Sequence, residues 1–327
     1  MKGIRLKFLF IFILTCCLVV IYCEAPRDNL FDPKNPDSSL GTLIGTVLTL
    51  ITQKPIAGVT VLWKNGDRSS VTDKNGHFHL NQLVPKNGEL IFRHDSYLTD
   101  SLYINWGSQK FIDHNINLNA KPSLDAADFY SIILNQYGDY TQTQTKLEAI
   151  VTDPDRDMDS VYVTNDVFAI KLYLKYDINN ESYQRTFSIP ELRVKSAEQL
   201  IGYNFVIHVT DRFGHHIDVG DCQIKRIIHD EIQFESPANF EVVSENPTLK
   251  WKRFNPGFNF SFMIEIFTGE FILEQIYSKS DIPSDSTQWT VEKQLSPGDY
   301  HWVIWCIDEF QNRSRSKPAS FTVQQKG

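Results

Sequence analysis

Cysteine is scarce and unevenly placed: three of the five stand at positions 16, 17 and 23, which leaves Cys222 and Cys306 for the remainder of the 327 residues. Those two fall in what the patterning below divides into different domains. Two buried free thiols acting as small core residues are therefore expected, with a bridge across a domain interface as the alternative. Basic charge is also in deficit, with 32 Lys and Arg against 40 Asp and Glu, a net charge of −8. Such a surface is poorly suited to nucleic acid, whose binding rests on neutralising phosphates. No segment after residue 22 is apolar enough to cross a bilayer. Helical periodicity is almost absent; two exceptions, around 123–134 and 189–200, read as single turns or short connecting helices. Also missing are a G-x-S-x-G elbow, an H-E-x-x-H helix, a Walker loop and a dinucleotide fingerprint, so the enzyme classes that depend on them have no footing here.

What is present begins at the amino terminus. Lys2, Arg5 and Lys7 precede an uncharged run of 15 residues, Phe8 to Tyr22. These are the charged and apolar regions of a secretory signal, and the run falls short of the about 20 residues of a spanning helix. An uncleaved, tilted anchor is the alternative. From Glu24 to Leu40 the chain is polar and broken by Pro26, Pro33 and Pro36, which makes residues 23–40 an extended, solvated tether. A cysteine at the junction of apolar run and tether resembles the lipidation site of bacterial lipoproteins, and Pro26-Arg27-Asp28-Asn29-Leu30-Phe31-Asp32-Pro33 resembles the start of mature lipoproteins in some Gram-negative lineages. The resemblance implies a signal peptide over 1–22 and a lipid on Cys23. It departs from the pattern at Tyr22, where a small residue is usual. Cys17, after Leu14-Thr15-Cys16, meets that rule better but would strand Leu18 to Tyr22 at the head of the tether. Loss of residues 1–22 leaves 29 basic against 40 acidic residues, or −11. The acyl chains alone would hold such a body at a membrane, at about 0.8 kcal/mol per buried methylene. Glu24, rather than Asp, after the cysteine points to the outer membrane.

From Gly41 onward, short runs of Val, Ile, Thr, Tyr, Phe and Trp alternate with Gly, Pro, Asn and Asp, which predicts an all-β chain of three sandwiches in tandem. In residues 41–120, Asp73 is placed to start a turn, Gly76 to supply positive φ, and Phe78 and Leu80 to point away from His77 and His79. The succession Gly45-Thr46-Val47, Pro55 to Val61, Thr72 to Phe78, and Leu90-Ile91-Phe92 before Ser96-Tyr97 resembles the carboxypeptidase regulatory-like domain, a prealbumin-like sandwich. That resemblance covers about a quarter of the chain and brings no counterpart of the zinc-binding catalytic domain to which the family owes its name. Residues 235–327 carry Leu249 and Trp251 on one strand face, and then "LSPGDYHWVIWCID", which resembles the fibronectin type III pattern. There, a tyrosine such as Tyr300 closes a corner through its hydroxyl. Residues 121–234 resemble Ig-like modules more generally. Within them "GYNFVIHVTDRFG" echoes "GDYHWVIWCIDEFQ": Tyr203 to Asp211 repeats the spacing of Tyr300 to Asp308, as two related sandwiches would.

Few residues suggest chemistry. Asp153, Asp155, Asp157 and Asp159 alternate along one loop and can aim oxygens at calcium, a cation that takes 6–8 of them. However, Met158 and Thr164 stand where an EF-hand-like loop has Gly and Glu, and the same residues serve equally as a solvated turn. His77 with His79 offers a zinc pair without a third ligand nearby in sequence, and reads better as an exposed polar pair, as does His215-His216. Trp63, Trp106, Trp289 and Trp305 are candidates for stacking on a sugar or protein partner. Tyr300, Trp302 and Ile304 belong to a core, with Trp305 on the opposite face. The expected function is non-enzymatic: an outer-membrane lipoprotein displaying β modules to a protein or glycan at the envelope. The alternative is an envelope carbohydrate-processing enzyme or accessory with an acidic site in the middle domain.

Overall fold

A computed structural model describes residues 39–268 and 274–324. The leader, Cys23 and the tether as far as Ser38 lie outside the described residues. The described residues are all-β and divide into two compact units, one up to Lys121 and one from Pro122. Among the described residues no helix is long and apolar enough to cross a membrane.

The first unit is formed from β1 (Gly41–Thr49), β2 (Thr60–Trp63), β3 (Arg68–Val71), β4 (His77–Leu83), β5 (Gly88–Arg93), β6 (Asp100–Ile104), β7 (Phe111–Asp113) and β8 (Ile116–Leu118). One sheet runs β4-β1-β7 with β8 also on β1, and the other runs β3-β2-β5-β6. Their shared core holds Leu43, Val47, Val61, Phe78, Leu80, Leu90 and Phe92. Alternation on β4 falls as the sequence predicts, Phe78 and Leu80 buried and His77 and His79 exposed. Trp63 and Trp106 are not stacking platforms: each is 1% exposed, and they meet edge to face at 6.2 Å in this core. Gly45 lets β1 pass the chain at His114, whose carbonyl oxygen would lie 1.9 Å from any Cβ.

The second unit begins with β9 (Ser123–Asn135), β10 (Thr141–Thr152), β11 (Met158–Asn165), β12 (Ile170–Tyr173), β13 (Lys175–Asp177), β14 (Ser182–Ser188), β15 (Phe205–Asp211) and β16 (His216–Cys222). The chain changes sheets at Leu174, since β12 pairs with β11 and β13 with β14. The helical reading of 123–134 fails because β9 is a 13-residue strand. Its alternation was masked by Ser131, a polar residue on the buried face, and by apolar Tyr130 and Ile132 on the other. The second exception, at 189–200, resolves into two 3-10 turns, Ile189–Leu192 and Ala197–Leu200.

There follow β17 (Phe234–Ser236), β18 (Glu241–Val243), β19 (Thr248–Trp251), β20 (Phe260–Thr268), β21 (Glu274–Pro283), β22 (Gln288–Thr290), β23 (Gly298–Asp308), β24 (Arg313–Arg315) and β25 (Ala319–Val323). Two separate cores form in this unit. One gathers apolar side chains from Phe129 to Ile227, the other from Ile228 to Val323. A single ten-stranded sheet runs past both, eight of its strands in the order β13-β14-β10-β9-β24-β23-β20-β21, with β25 also on β23 and β18 on β25. The joint is a parallel pairing of β24 with β9, Arg313 to Arg315 beside Ile132 to Leu134. The first core is closed by the sheet β12-β11-β15-β16 and the second by β17-β19-β22. Cys222 and Cys306 are buried free thiols, one in each core, as expected.

Candidate functional site

Four aspartates make the same turn. The carboxylates of Asp73, Asp153, Asp211 and Asp308 each accept the amides two and four residues on: Asn75 and His77, Asp155 and Asp157, Phe213 and His215, Phe310 and Asn312. In each turn the third residue after the aspartate has positive φ, namely Gly76, Arg156, Gly214 and Gln311. At Asp211 and Asp308 this turn joins paired strands as a short hairpin that ends in a left-handed residue, whereas at Asp73 and Asp153 it carries the chain from one sheet to the other. Asp73 is held below the ordinary carboxylate range, first by the His77 amide. Burial pushes Asp211 upward, yet the His215 side chain and the amides of His215 and Phe213 outweigh it and leave the carboxyl below its ordinary value.

The calcium candidates are split by this turn. Asp153 spends its oxygens on the amides of Asp155, Asp157 and Met158 at 2.7–3.2 Å. Asp155 and Asp157 are buried with it, whereas Asp159 is exposed on β11. Among the described residues no three or more His, Cys, Asp or Glu side chains are grouped to hold a metal ion. His77 and His79 share an exposed face with Asp113, which pairing brings near them: Ile44 lies between His79 on one side and Asp113 on the other. Both imidazoles have neighbours on their own strand and turn, Asp73 for His77 at 3.7 Å and Asn81 for His79 at 3.4 Å.

The most developed site stands where the two cores of the second unit meet. A cavity of about 260 Å³ is lined by Asp128 and Phe129 of β9, Asp221 of β16, Gln223, Lys225, Glu309 and Phe310. Phe129 forms its floor, locked against Phe205 with ring centres 4.7 Å apart. Burial raises the Asp128 carboxyl above its ordinary value, the nearby Glu148 raises it further, and Arg313 opposes both. The Cys222 thiol is pushed up to about 12 by burial and then by Asp221 and Asp128, which leaves it inert as a nucleophile. Lys225 Nζ donates to Gln223 Oε1 at 2.9 Å.

The wall beside the cavity is fixed by buried polar contacts. Arg226 donates to the buried Asp308 carboxylate at 3.0 Å, reaches Glu309 at 3.6 Å, and lies over the rings of Phe258 and Phe310 at 4.1 and 5.7 Å. Asn312, fully buried, accepts the Ser131 amide at 2.9 Å and donates to Asp308 at 3.1 Å. Asn135 donates to the Arg315 carbonyl at 2.8 Å. Sequence reading missed this cleft because its lining spans positions 127 to 310 and only strand pairing unites it. The local signal was Asp308-Glu309-Phe310, two acids and an aromatic in a turn whose spacing had already been noticed.

Trp305, assigned to the face opposite the core, does lie there, but it is 8% exposed and donates its indole N–H to Glu265 at 2.7 Å. Trp289 is half-buried and bonded to the Tyr277 hydroxyl at 3.0 Å.

With this geometry in view, the chain was compared with known proteins. Residues 43–126 match the family model described as a CarboxypepD_reg-like domain. The match falls on the stretch whose motifs resemble that module. No curated protein matches the chain. Among solved structures, the chain is similar to BcpA, the major pilin subunit of Bacillus cereus, at 10% identity over 87% of this chain and 95% of that one, TM-score 0.27. It is similar to the fibronectin(III)-like modules of Clostridium thermocellum CbhA, at 13% identity over 63% and 94%, TM-score 0.29. A third is a candidate carbohydrate binding protein from Bacteroides uniformis, at 7% identity over 57% of this chain and 99% of that one, TM-score 0.23. None of the three bears on what this chain does.

Proposed function

We propose that this protein is a lipid-anchored envelope protein that works by contact and not by catalysis. Acyl chains on Cys23 hold it at the outer membrane, residues 24–40 act as a tether, and the β units present a binding surface to a protein or glycan. The observation that carries the contact reading is the junction cleft. Its walls come from two sandwiches joined by one sheet and by the Arg226 and Asn312 contacts, so its shape is preset. Preset sites lose less freedom when a partner binds. The leader, the proline-broken tether and the net charge of −11 support the anchored, exported setting. Metabolic labelling with a fatty acid tests the anchor: wild type and Cys17→Ala are expected to take up label and fractionate with membranes, and Cys23→Ala is expected to do neither. Label retained by Cys23→Ala and lost by Cys17→Ala would overturn the assignment.

A second reading draws on the same cleft. A glycoside-cleaving acid needs a carboxyl raised above its ordinary value, and Asp128 is raised, first by burial, in the company of Asp221 and Glu309. An oligosaccharide panel incubated with wild type and Asp128→Asn decides it. Products from wild type alone establish an enzyme, and no products from wild type reject it.

A further inference from the structure

Resting on the contact reading of the junction cleft, we propose that its occupant is a cationic side chain, an arginine or lysine presented by a protein partner. The cleft sets three carboxylates, Asp128, Asp221 and Glu309, against a single ammonium group, Lys225, whose hydrogen bond goes to Gln223. Glu309 shares the Arg226 guanidinium at 3.6 Å, while Asp128 and Asp221 have no ion pair among the described residues. A cation would therefore meet two carboxylates that no ion pair engages, Arg313 bearing on Asp128 through its nearby charge alone. An anion would be repelled, and a neutral sugar would gain hydrogen bonds from them but no attraction between net charges.

The aromatic wall points the same way. Phe310 is 39% exposed, and the molecule already places one guanidinium beside it: Arg226, 5.7 Å from the ring, sandwiched toward Phe258 and held by Asp308 and Glu309. A second cation entering from the cleft would repeat that arrangement with Asp128 and Asp221 as its acids, gaining both charge-assisted hydrogen bonds and a ring face. Size agrees, since about 260 Å³ lies below the roughly 300–1,000 Å³ of drug-sized ligand pockets and admits one long side chain in place of a chain of sugars. The excess of acids over the whole mature chain would also speed encounter with a basic partner.

The test uses the full chain purified in detergent, with fluorescence anisotropy of two labelled peptides, one carrying arginines and its twin with glutamine at the same positions. The arginine peptide is expected to bind at least about tenfold more tightly than its twin. Asp128→Asn with Asp221→Asn is expected to weaken it about tenfold, and Phe310→Ala about fivefold, the scale of one or two such contacts. A control with the same change in charge outside the cleft, Asp285→Asn with Glu292→Gln, is expected to change binding less than about twofold at physiological salt, where remote charges are screened. Circular dichroism melts confirm that each variant is folded. Equal binding of the two peptides, or equal weakening by the control, overturns the proposal. If neither peptide binds but a neutral hexasaccharide does, and Asp128→Asn abolishes that, the cationic occupant is wrong while the contact reading stands. Hydrolysis of that sugar would instead overturn the contact reading.

Discussion

The strand β15 with its turn and the strand β23 with its turn are two renderings of one pattern, and they differ in what surrounds them. Phe205, Ile207 and Val209 point inward as Trp302, Ile304 and Cys306 do, and Asp211 closes its turn as Asp308 does. In the middle sandwich the second oxygen of Asp211 lies 2.6 Å from the His215 ring. In the last sandwich Asp308 reaches across to Arg226 and to Asn312, which holds β9. The outward residues diverge likewise: Val206, His208 and Thr210 are half-buried, whereas Val303 and Trp305 are buried. One local device can thus serve as a turn in one place and as a joint between domains in another; the neighbours decide which.

Removing the two aspartates in turn probes that difference most strongly. Asp308→Ala strands the Arg226 charge and should cost about 3 kcal/mol or more in urea unfolding. Asp211→Ala, which loses amide acceptance and one imidazole, should cost about 1–3 kcal/mol. Equal costs would break the comparison. Asn312→Ala leaves the buried Ser131 amide unpaired and should cost about 2 kcal/mol. It should also separate the unfolding of the two sandwiches, visible as two transitions in calorimetry. Tyr300→Phe should cost about 1 kcal/mol, because its hydroxyl donates to the Ser296 carbonyl at 2.8 Å. Tyr203 is 41% exposed and lies against Phe168, so Tyr203→Phe should change thermal stability by less than about 0.5 kcal/mol. Gln311→Gly should stabilise by up to about 1 kcal/mol, since φ there is +66°. The smallest effect concerns pH. The folded Asp211 carboxyl sits below its ordinary value, so its contribution is complete above the ordinary range and fades as pH falls through the folded value. Between about pH 5 and pH 3, Asp211→Asn should therefore flatten the loss of stability seen in wild type.

Alternation of apolar residues made β4 and β23 legible, and their faces fall where expected. The hydroxyl of Tyr300 and the turn at Asp73 were also readable, because each depends on partners within four residues. The equivalence of Tyr203 and Tyr300 was readable only as spacing. The corner bond forms in one copy because Ser296 is positioned there, and nothing in the spacing reports that. β9 escaped because Ser131 is polar yet buried, with Asn312, 181 positions away, as its partner. Trp63 and Trp106 looked available because aromatics suit both cores and surfaces, and only tertiary packing distinguishes the two. The cleft escaped for the reason β9 did: its residues are local to nothing but the finished sheet.

The parallel seam between β9 and β24 also sets a timetable. During synthesis β9 emerges first, while the three residues that cover its edge, Arg313 to Arg315, follow much later in the chain. Until they arrive, the middle sandwich exposes an open row of amides and carbonyls, the kind of edge that recruits other chains. Closure of the middle sandwich therefore waits on β24, and a copy truncated just before Arg313 would clump rather than serve as a smaller working module.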